Sequence, residues 1–292
     1  MISVIIPTYE RHEAVIRTVV DLKNEIVTYL RDEAELIVVD QSAKENFRLI
    51  EIEKNSGDFI RYLKIEEAGL PNARNVGIRY AKGEICVFLD DDVIVSPCFI
   101  REHLKLYADP LVGAVAGKVT EKNKKSIQTI TPSNMCAINI FGRACPNLGG
   151  SSQREVAAFR GGNFSFRRCI HEKIGYFDLN FEGSALLEES VYAYRIRRAG
   201  YKIIFSPAAE LFHLELPSGG CRQRNLLETQ YWRLRNTTLF YLKNMPRITF
   251  PLFVLTFIAI AALKSKGSAS AFKFLVSGFK HGYLVYNNRR QT

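Results

Sequence analysis

An apolar run, Ile85-Cys86-Val87-Phe88-Leu89, ends in three consecutive carboxylates, Asp90, Asp91 and Asp92. An uninterrupted apolar run of this length, closed by polar residues, has the form of a buried strand. Such a strand belongs in a sheet whose two faces are both covered. Three adjacent carboxylates at its end repel one another, and their pKa values rise unless a cation neutralises them. A hard divalent ion that takes one or two of these oxygens, together with phosphate oxygens, resolves the conflict. In open α/β sheets, ligands bind outside the carboxyl ends of the strands, where these acids fall.

The residues before the triplet alternate between strand and helix patterns. Ile2 to Pro7 is a β-rich apolar run ended by proline, and a helical pattern with Val15, Ile16, Val19, Val20 and Leu22 on one side follows from His12 to Leu30. Leu36 to Asp40 reads as a second buried strand and Phe59 to Ile65 as a weaker third. Pro71 to Ala81 reads as a helix opened by proline in its first turn and closed by Gly83. After the triplet, Pro97 to Tyr107 is a further helix. Apolar strands alternating with helices predict an α/β fold: a doubly wound, mostly parallel sheet flanked by helices in three layers. No GxGxxG follows the first strand and no GxxxxGK[ST] occurs, so dinucleotide and P-loop binding lack their fingerprints.

The polar stretch from Glu121 to Gln153, broken by prolines and Gly149-Gly150, predicts a loop or insertion. Structure resumes over Phe159 to Arg167, where two glycines allow close backbone approach. Glu188 to Ala199 predicts a helix with an acidic pair at its N-terminus, where the dipole favours negative charge, and Lys202 to Phe205 one more strand.

Net charge is +10 but uneven: from Arg195 onward 16 Lys and Arg face three acids, a net +13, which leaves −3 for residues 1–194. The same third holds Ile248 to Leu263, 16 residues without a charge. That is short of the roughly 20 a spanning helix needs, and Pro251 interrupts it. Flanked by Arg247, Lys264 and Lys266, it reads as a segment lying on or dipping into an anionic membrane surface, with a core helix as the other reading. The basic tail has neither interleaved surface aromatics nor a known nucleic-acid module, so no nucleic-acid partner is expected. Residues 1–10 lack a basic leader and a signal-length apolar stretch, and a cytoplasmic chain is expected. The cysteines show no CxxC pair and no zinc spacing, so most are expected to be buried reduced thiols.

SVIIPTYER, LIVVDQSA, GLPNARNVGIRYAKGEICVFLDDDV, GGNFSFRR and LEESVYAYRIRRAGY, in this order and spacing, resemble family 2 glycosyltransferases of the GT-A fold. The resemblance covers about residues 1–215, with a nucleotide-binding half over 1–120 and an acceptor and catalytic-base half over 156–215. A basic helical extension, 216–292, follows. It implies an inverting transferase that uses a nucleotide-sugar donor, a UDP- or dTDP-sugar, and a saccharide or lipid-linked acceptor. The setting is cell-surface polysaccharide or glycolipid assembly at the inner face of the cell membrane.

Residue by residue, the resemblance implies that Pro7, Tyr9 and Glu10 line the base and ribose end of the donor site. Asp40 would accept from N3–H of uracil or thymine, and Arg74 would contact the nucleotide or its phosphates. Asp90 and Asp92 match the DxD motif, Asp90 toward the sugar and Asp92 on Mn²⁺ or Mg²⁺, with Asp91 near the ribose. Gly161, Gly162 and Asn163 would shape the acceptor side of the sugar site. Glu188 would join them at the acceptor and sugar site, and Glu189 beside it is the implied general base, a position where many members carry Asp. His213, expected after the last strand, is a candidate third metal ligand. Trp232, Arg233 and Arg235 are candidates for contact with acceptor or lipid phosphate. Two other readings compete: nucleotidyl transfer and a non-catalytic nucleotide-sugar binder.

Overall fold

A computed structural model describes residues 1–30, 33–121, 137–138, 144–145, 150–221 and 225–288. The predicted polar segment between Glu121 and Gln153 falls largely outside the described residues. The strands are β1 (Ile2–Thr8), β2 (Ala34–Asp40), β3 (Ile60–Lys64), β4 (Ile85–Leu89), β5 (Val93–Val95), β6 (Val112–Glu121), β7 (Ala137–Ile138), β8 (Ala144–Cys145), β9 (Arg154–Glu155), β10 (Asn163–Arg167) and β11 (Lys202–His213). The helices are α1 (His12–Glu25), α2 (Phe47–Lys54), α3 (Leu70–Tyr80), α4 (Phe99–Leu104), α5 (Ile170–Ile174), α6 (Glu188–Arg198), α7 (Leu226–Asn244), α8 (Phe250–Ser265) and α9 (Ala269–Asn288).

The main sheet runs β3-β2-β1-β4-β10-β6-β11-β5, with β9 on β11. β3, β2, β1 and β4 are mutually parallel. β10 is antiparallel to both its neighbours, while β6 and β11 return to parallel pairing. Along β1 the side chains alternate between two cores, as the period of two along a strand requires. Ile2, Val4 and Ile6 pack with α1, α2 and α4, and Ile5 packs with α3, α5 and α6. The expected helix–sheet–helix layering is therefore present, and every residue of β1, β2 and β4 is buried.

Three expectations need correction. The last strand does not end at Phe205 but continues through an irregularity between Ser206 and Glu210 to His213. Pro251 does not interrupt the apolar segment, because it occupies the first turn of α8, where its missing N–H costs nothing. That helix with the turn before it spans Arg247–Ser265, 19 residues of mean hydropathy 2.0, long and apolar enough to cross a membrane by length and composition. Only Phe253, Phe257, Ala261 and Ser265 of α8 are buried, so it is not an ordinary core helix. Cys86, Cys98, Cys169 and Cys221 are free thiols, as expected, but of these four only Cys86 is buried.

Candidate active site

The cleft at the carboxyl ends of β1 and β4 has a volume of about 1600 Å³. Pro7, Tyr9, Glu10, Arg74, Asp90, Asp91, Gly161, Gly162, Glu188, Glu189 and His213 all contribute to its wall. The sequence places these residues up to 206 positions apart, and the sheet order brings them together.

The acidic triplet turns three ways. Asp91 is buried, accepting from Thr8 Oγ1 at 2.7 Å and from Arg11 Nη1 at 2.8 Å. Burial raises its pKa to about 6, against the pull of Arg11 and Thr8. It therefore anchors β1 to the loop after β4 and does not reach freely into the cleft. Asp92 is wholly buried, with Oδ2 accepting from the backbone N–H of Leu216 at 3.1 Å. Its Oδ1 has no hydrogen bond within the protein, although Arg11 Nη1 stands 3.0 Å away and His213 Nε2 3.2 Å away. Asp90 is the exposed member, a third of its side chain open, with Oδ2 3.5 Å from the same His213 nitrogen.

Strand pairing explains why His213 arrives there. β5 begins immediately after Asp92, and its Val93 is in register with His213 at the end of β11. One ligand atom from each of Asp90, Asp92 and His213 lies within 4.8 Å of the others. Burial lowers the His213 pKa, but the two carboxylates outweigh it and raise it to about 9. Two carboxylates facing one imidazole nitrogen, and a buried carboxylate oxygen without a hydrogen bond, make a candidate cation site once the ring is neutral. An Asp, Asp, His set of hard and borderline ligands suits Mn²⁺ or Mg²⁺.

The glycine pair serves the protein's own side chains first. A Cβ on Gly162 would lie 2.5 Å from Asp90 Oδ2 and one on Gly161 2.9 Å from Arg74 Nη2, so only glycine lets the backbone close on both. Asn163 does not reach the cleft, contrary to expectation. It is wholly buried, its amide donating to the carbonyls of Lys118 and Ala209 at 2.9 Å each. Its Oδ1 accepts from His103 Nε2 at 2.9 Å, so Asn163 is a strut joining β10 to β6, β11 and α4.

Arg74 and Asp40 are both buried among partners within the protein. Arg74 is 1 % exposed, its guanidinium over the rings of Phe164 and Phe177 and paired with the Glu188 carboxylate. It donates to Gly161 O at 2.8 Å. It thus ties the glycine pair to the acidic pair while forming part of the cleft wall. Asp40 is 1 % exposed and accepts from Tyr62 OH at 2.6 Å and from Ser42 N–H at 2.8 Å. Gln41, its neighbour, lines the cleft instead.

The acidic pair divides its labour. Glu188 is 1 % exposed against Arg74, while Glu189 is partly open on the cleft wall. Burial raises the Glu189 pKa; Arg74 pulls it down and Asp90 adds to the rise. A partly desolvated carboxylate facing a cleft is the better proton acceptor.

Three contributors were not foreseen. Arg11 bridges Asp91 and Asp92 and donates from Nε to Ser218 O at 2.9 Å. It ends the SVIIPTYER motif, so the signal was adjacent to Glu10. The strap Leu214 to Cys221 crosses the cleft, fixed by Leu214 N–H to Asp92 O and Gly220 N–H to Tyr9 O, 2.9 Å each. α7 adds Glu228 to the wall, beside the expected Arg233. The site therefore does not stop at residue 215. Of the basic and aromatic trio on α7, only Arg233 faces the cleft; Arg235 is wholly buried and Trp232 packs on Gly183.

Comparison with known proteins gives concordant results. Residues 3–175 match the family model described as glycosyl transferase family 2. A poly-beta-1,6-N-acetyl-D-glucosamine synthase of Staphylococcus aureus (strain COL) is 26% identical over 258 residues, 84% of this chain. The chain spans 58% of that relative's length. Among solved structures, S. aureus TarS 1-349 has a TM-score of 0.63 at 14% identity, covering 96% of this chain and 79% of its own. Mannosyltransferase PcManGT from Pyrobaculum calidifontis, in complex with GDP-Man and Mn²⁺, has a TM-score of 0.57 at 21% identity, covering 95% and 79%. At these identities the structures speak for the fold, which is GT-A. The family match, over more than half of the chain, leaves nucleotidyl transfer and a non-catalytic binder without support. The protein belongs to glycosyl transferase family 2.

Proposed function

We propose that this enzyme transfers a sugar, with inversion, from a nucleoside diphosphate sugar to a hydroxyl of a saccharide or lipid-linked acceptor in cell-surface polysaccharide or glycolipid assembly. One observation carries the reading: a single cleft holds the Asp90, Asp92 and His213 set and the partly exposed Glu189. A divalent ion on those three residues would stabilise the negative charge of a departing diphosphate. Asp90, the open member of the set, is the one able to reach donor hydroxyls as well. Inversion requires attack from the face opposite the leaving group, and Glu189 is the carboxylate free to take the attacking hydroxyl's proton. Glu188 is not free, being buried on Arg74. Pro7, Tyr9 and Glu10 supply the nucleoside end of the wall.

A uracil nucleotide is the first donor to test, because TarS has been solved with UDP and with UDP-GlcNAc. The named product of the S. aureus relative is also a polymer of N-acetylglucosamine. The test is a panel of UDP-, dTDP- and GDP-sugars scored for Mn²⁺-dependent thermal stabilisation and nucleotide release. UDP-GlcNAc or another pyrimidine donor should lead. A GDP-sugar leading would overturn the pyrimidine reading, and no release from any donor would overturn the transferase mechanism drawn here.

The C-terminal helices favour an anionic membrane at the cytoplasmic face as the partner surface. Leu252, Leu255, Ile258 and Leu263 of α8 are 41%, 66%, 46% and 78% exposed. After Glu228 the sequence contains no acid and ten Lys and Arg. An exposed apolar stripe among cations fits an anionic interface better than water.

A further inference from the structure

The loop from Asp178 to Leu187 leads directly into the acidic pair and is held in a conformation its residues disfavour. Gly183, Ala185 and Leu187 have φ of +62°, +50° and +74°. For alanine and leucine the left-handed region is sterically unfavourable, and it persists only where the surroundings over-determine it. Here the surroundings are α7. Arg235 donates to the carbonyl of Asn180 and to Glu182 Oε1 at 3.3 Å. Asn236 Nδ2 donates to Glu182 O at 3.0 Å, and Lys243 pairs with the Asp178 carboxylate. The Trp232 ring lies so close to Gly183 that a Cβ there would meet it at 2.1 Å.

Arg235 is the centre of this arrangement and an expensive one. It is wholly buried, burial lowers its pKa, and its Nε makes no hydrogen bond. Its nearest acidic group is Glu182, whose side chain is 52% exposed. Apolar residues often replace such a buried charge without loss of stability, so stability alone does not account for it.

We propose that Arg235 is a positioning residue for the transfer reaction, clamping the Asp178–Leu187 loop and so fixing the first turn of α6 that carries Glu189. The inference rests on the reading of Glu189 as the base. The link is short: Glu188 N–H donates to Ala185 O at 3.2 Å and Val191 N–H to Leu187 O at 3.0 Å, so loop and first turn move together. A displacement of ~1 Å in a reacting group is enough to cost about 10²-fold in rate. The metal-ligating side chains stand on or beside β4 and β11, outside this clamp.

The test uses the full chain with Arg235→Met, Arg235→Lys and Glu182→Gln, the last altering the half-exposed acidic partner of Arg235. Hydrogen exchange should speed up at least tenfold over residues 178–191 and stay unchanged in β4. The kcat for UDP release from UDP-GlcNAc with Mn²⁺ should fall 10- to 100-fold in Arg235→Met, with UDP affinity within twofold, and Arg235→Lys should recover part of it. Combined with Glu189→Gln, Arg235→Met should add no further loss, since residues acting as a unit are non-additive. Equal losses of UDP affinity and kcat, an additive double variant, or unchanged exchange in both Glu182→Gln and Arg235→Met would overturn the proposal. If Glu189→Gln alone keeps the wild-type rate, the base assignment fails instead, and the exchange data still report whether α7 clamps the loop.

Discussion

Glu188 and Glu189 are chemically identical neighbours on the first turn of α6, yet their surroundings assign them opposite tasks. Glu189→Gln keeps the size of the side chain and removes its ability to accept a proton. Transfer should drop about 10²- to 10⁴-fold, the usual contribution of a positioned base, with UDP affinity little changed. Glu188→Gln instead strands the buried Arg74 charge, and losing one partner of a buried pair costs about 3–5 kcal/mol. Its main effect should be a fall in denaturation midpoint, and the reverse pattern would move the base to Glu188. Asp92→Asn belongs with these. Mn²⁺ with UDP should raise the wild-type melting temperature by mass action and leave that of the variant unmoved. An undiminished Mn²⁺ shift in the variant would remove Asp92 from the metal site.

Helices α7, α8 and α9 form a unit whose inner and outer surfaces differ in kind. Inside, Leu234, Tyr241, Phe253, Phe257, Ala261 and Leu275 make their own apolar cluster. Gly278 and Gly282 let α9 lie directly on the α7 backbone at Tyr231 and Arg235. Cutting the chain after Met245 would therefore strip the covering from α7 and disturb the wall of the cleft. Outer-face substitutions are the cleaner probe. Leu255→Ser with Leu263→Ser should lower binding to anionic vesicles at least tenfold, since a fully buried leucine contributes about 1.5–3 kcal/mol. The melting temperature should hold, because both side chains are exposed. High salt should release the wild-type protein only in part, as screening leaves the apolar contribution intact. Unchanged vesicle binding, or a large drop in melting temperature, would assign the stripe to the protein interior.

The two halves of the sheet are sewn together by a buried polar network, and this gives the protein a defined acid sensitivity. His103 bonds to Asn163 Oδ1 and to Ser165 Oγ, with Phe99 packed edge-on against the ring. The Asn163 amide is spent on two carbonyls, so its oxygen must accept, and His103 is neutral with its proton on Nε2. Burial lowers its pKa to about 4. A histidine depressed in the folded state is protonated first in the unfolded chain. Its contribution is thus complete above about pH 6.5 and is lost as pH falls toward 4. Unfolding free energy should decline through that window by on the order of 3 kcal/mol at most. A His103→Phe variant should start less stable and lose that part of the slope, and an unaltered slope would place the titration elsewhere.

Much of the architecture is legible from local pattern because its signals are local. Apolar runs fix β1, β2 and β4, Pro71 opens α3, and the Glu188-Glu189 pair opens α6, each within a residue or two of the observed bounds. The acids at the end of β4 announce a cation site before any fold is known, because their repulsion is a property of adjacent residues. Partnership is what the sequence leaves undetermined. Asp40 and Asp92 both stand at or just beyond the end of a strand. One is satisfied by Tyr62 and Ser42, and the other keeps a buried oxygen open beside His213. Arg74 and Arg233 are both arginines on helices that reach the cleft wall, and only packing buries the first against Glu188. His213 reaches Asp90 and Asp92 because β11 runs past Ser206 to pair with β5, a contact between residues more than a hundred positions apart. Local chemistry determined which elements form and which groups can react; long-range packing, by deciding what each charge faces and how dry it is, determined which of them are free to do so.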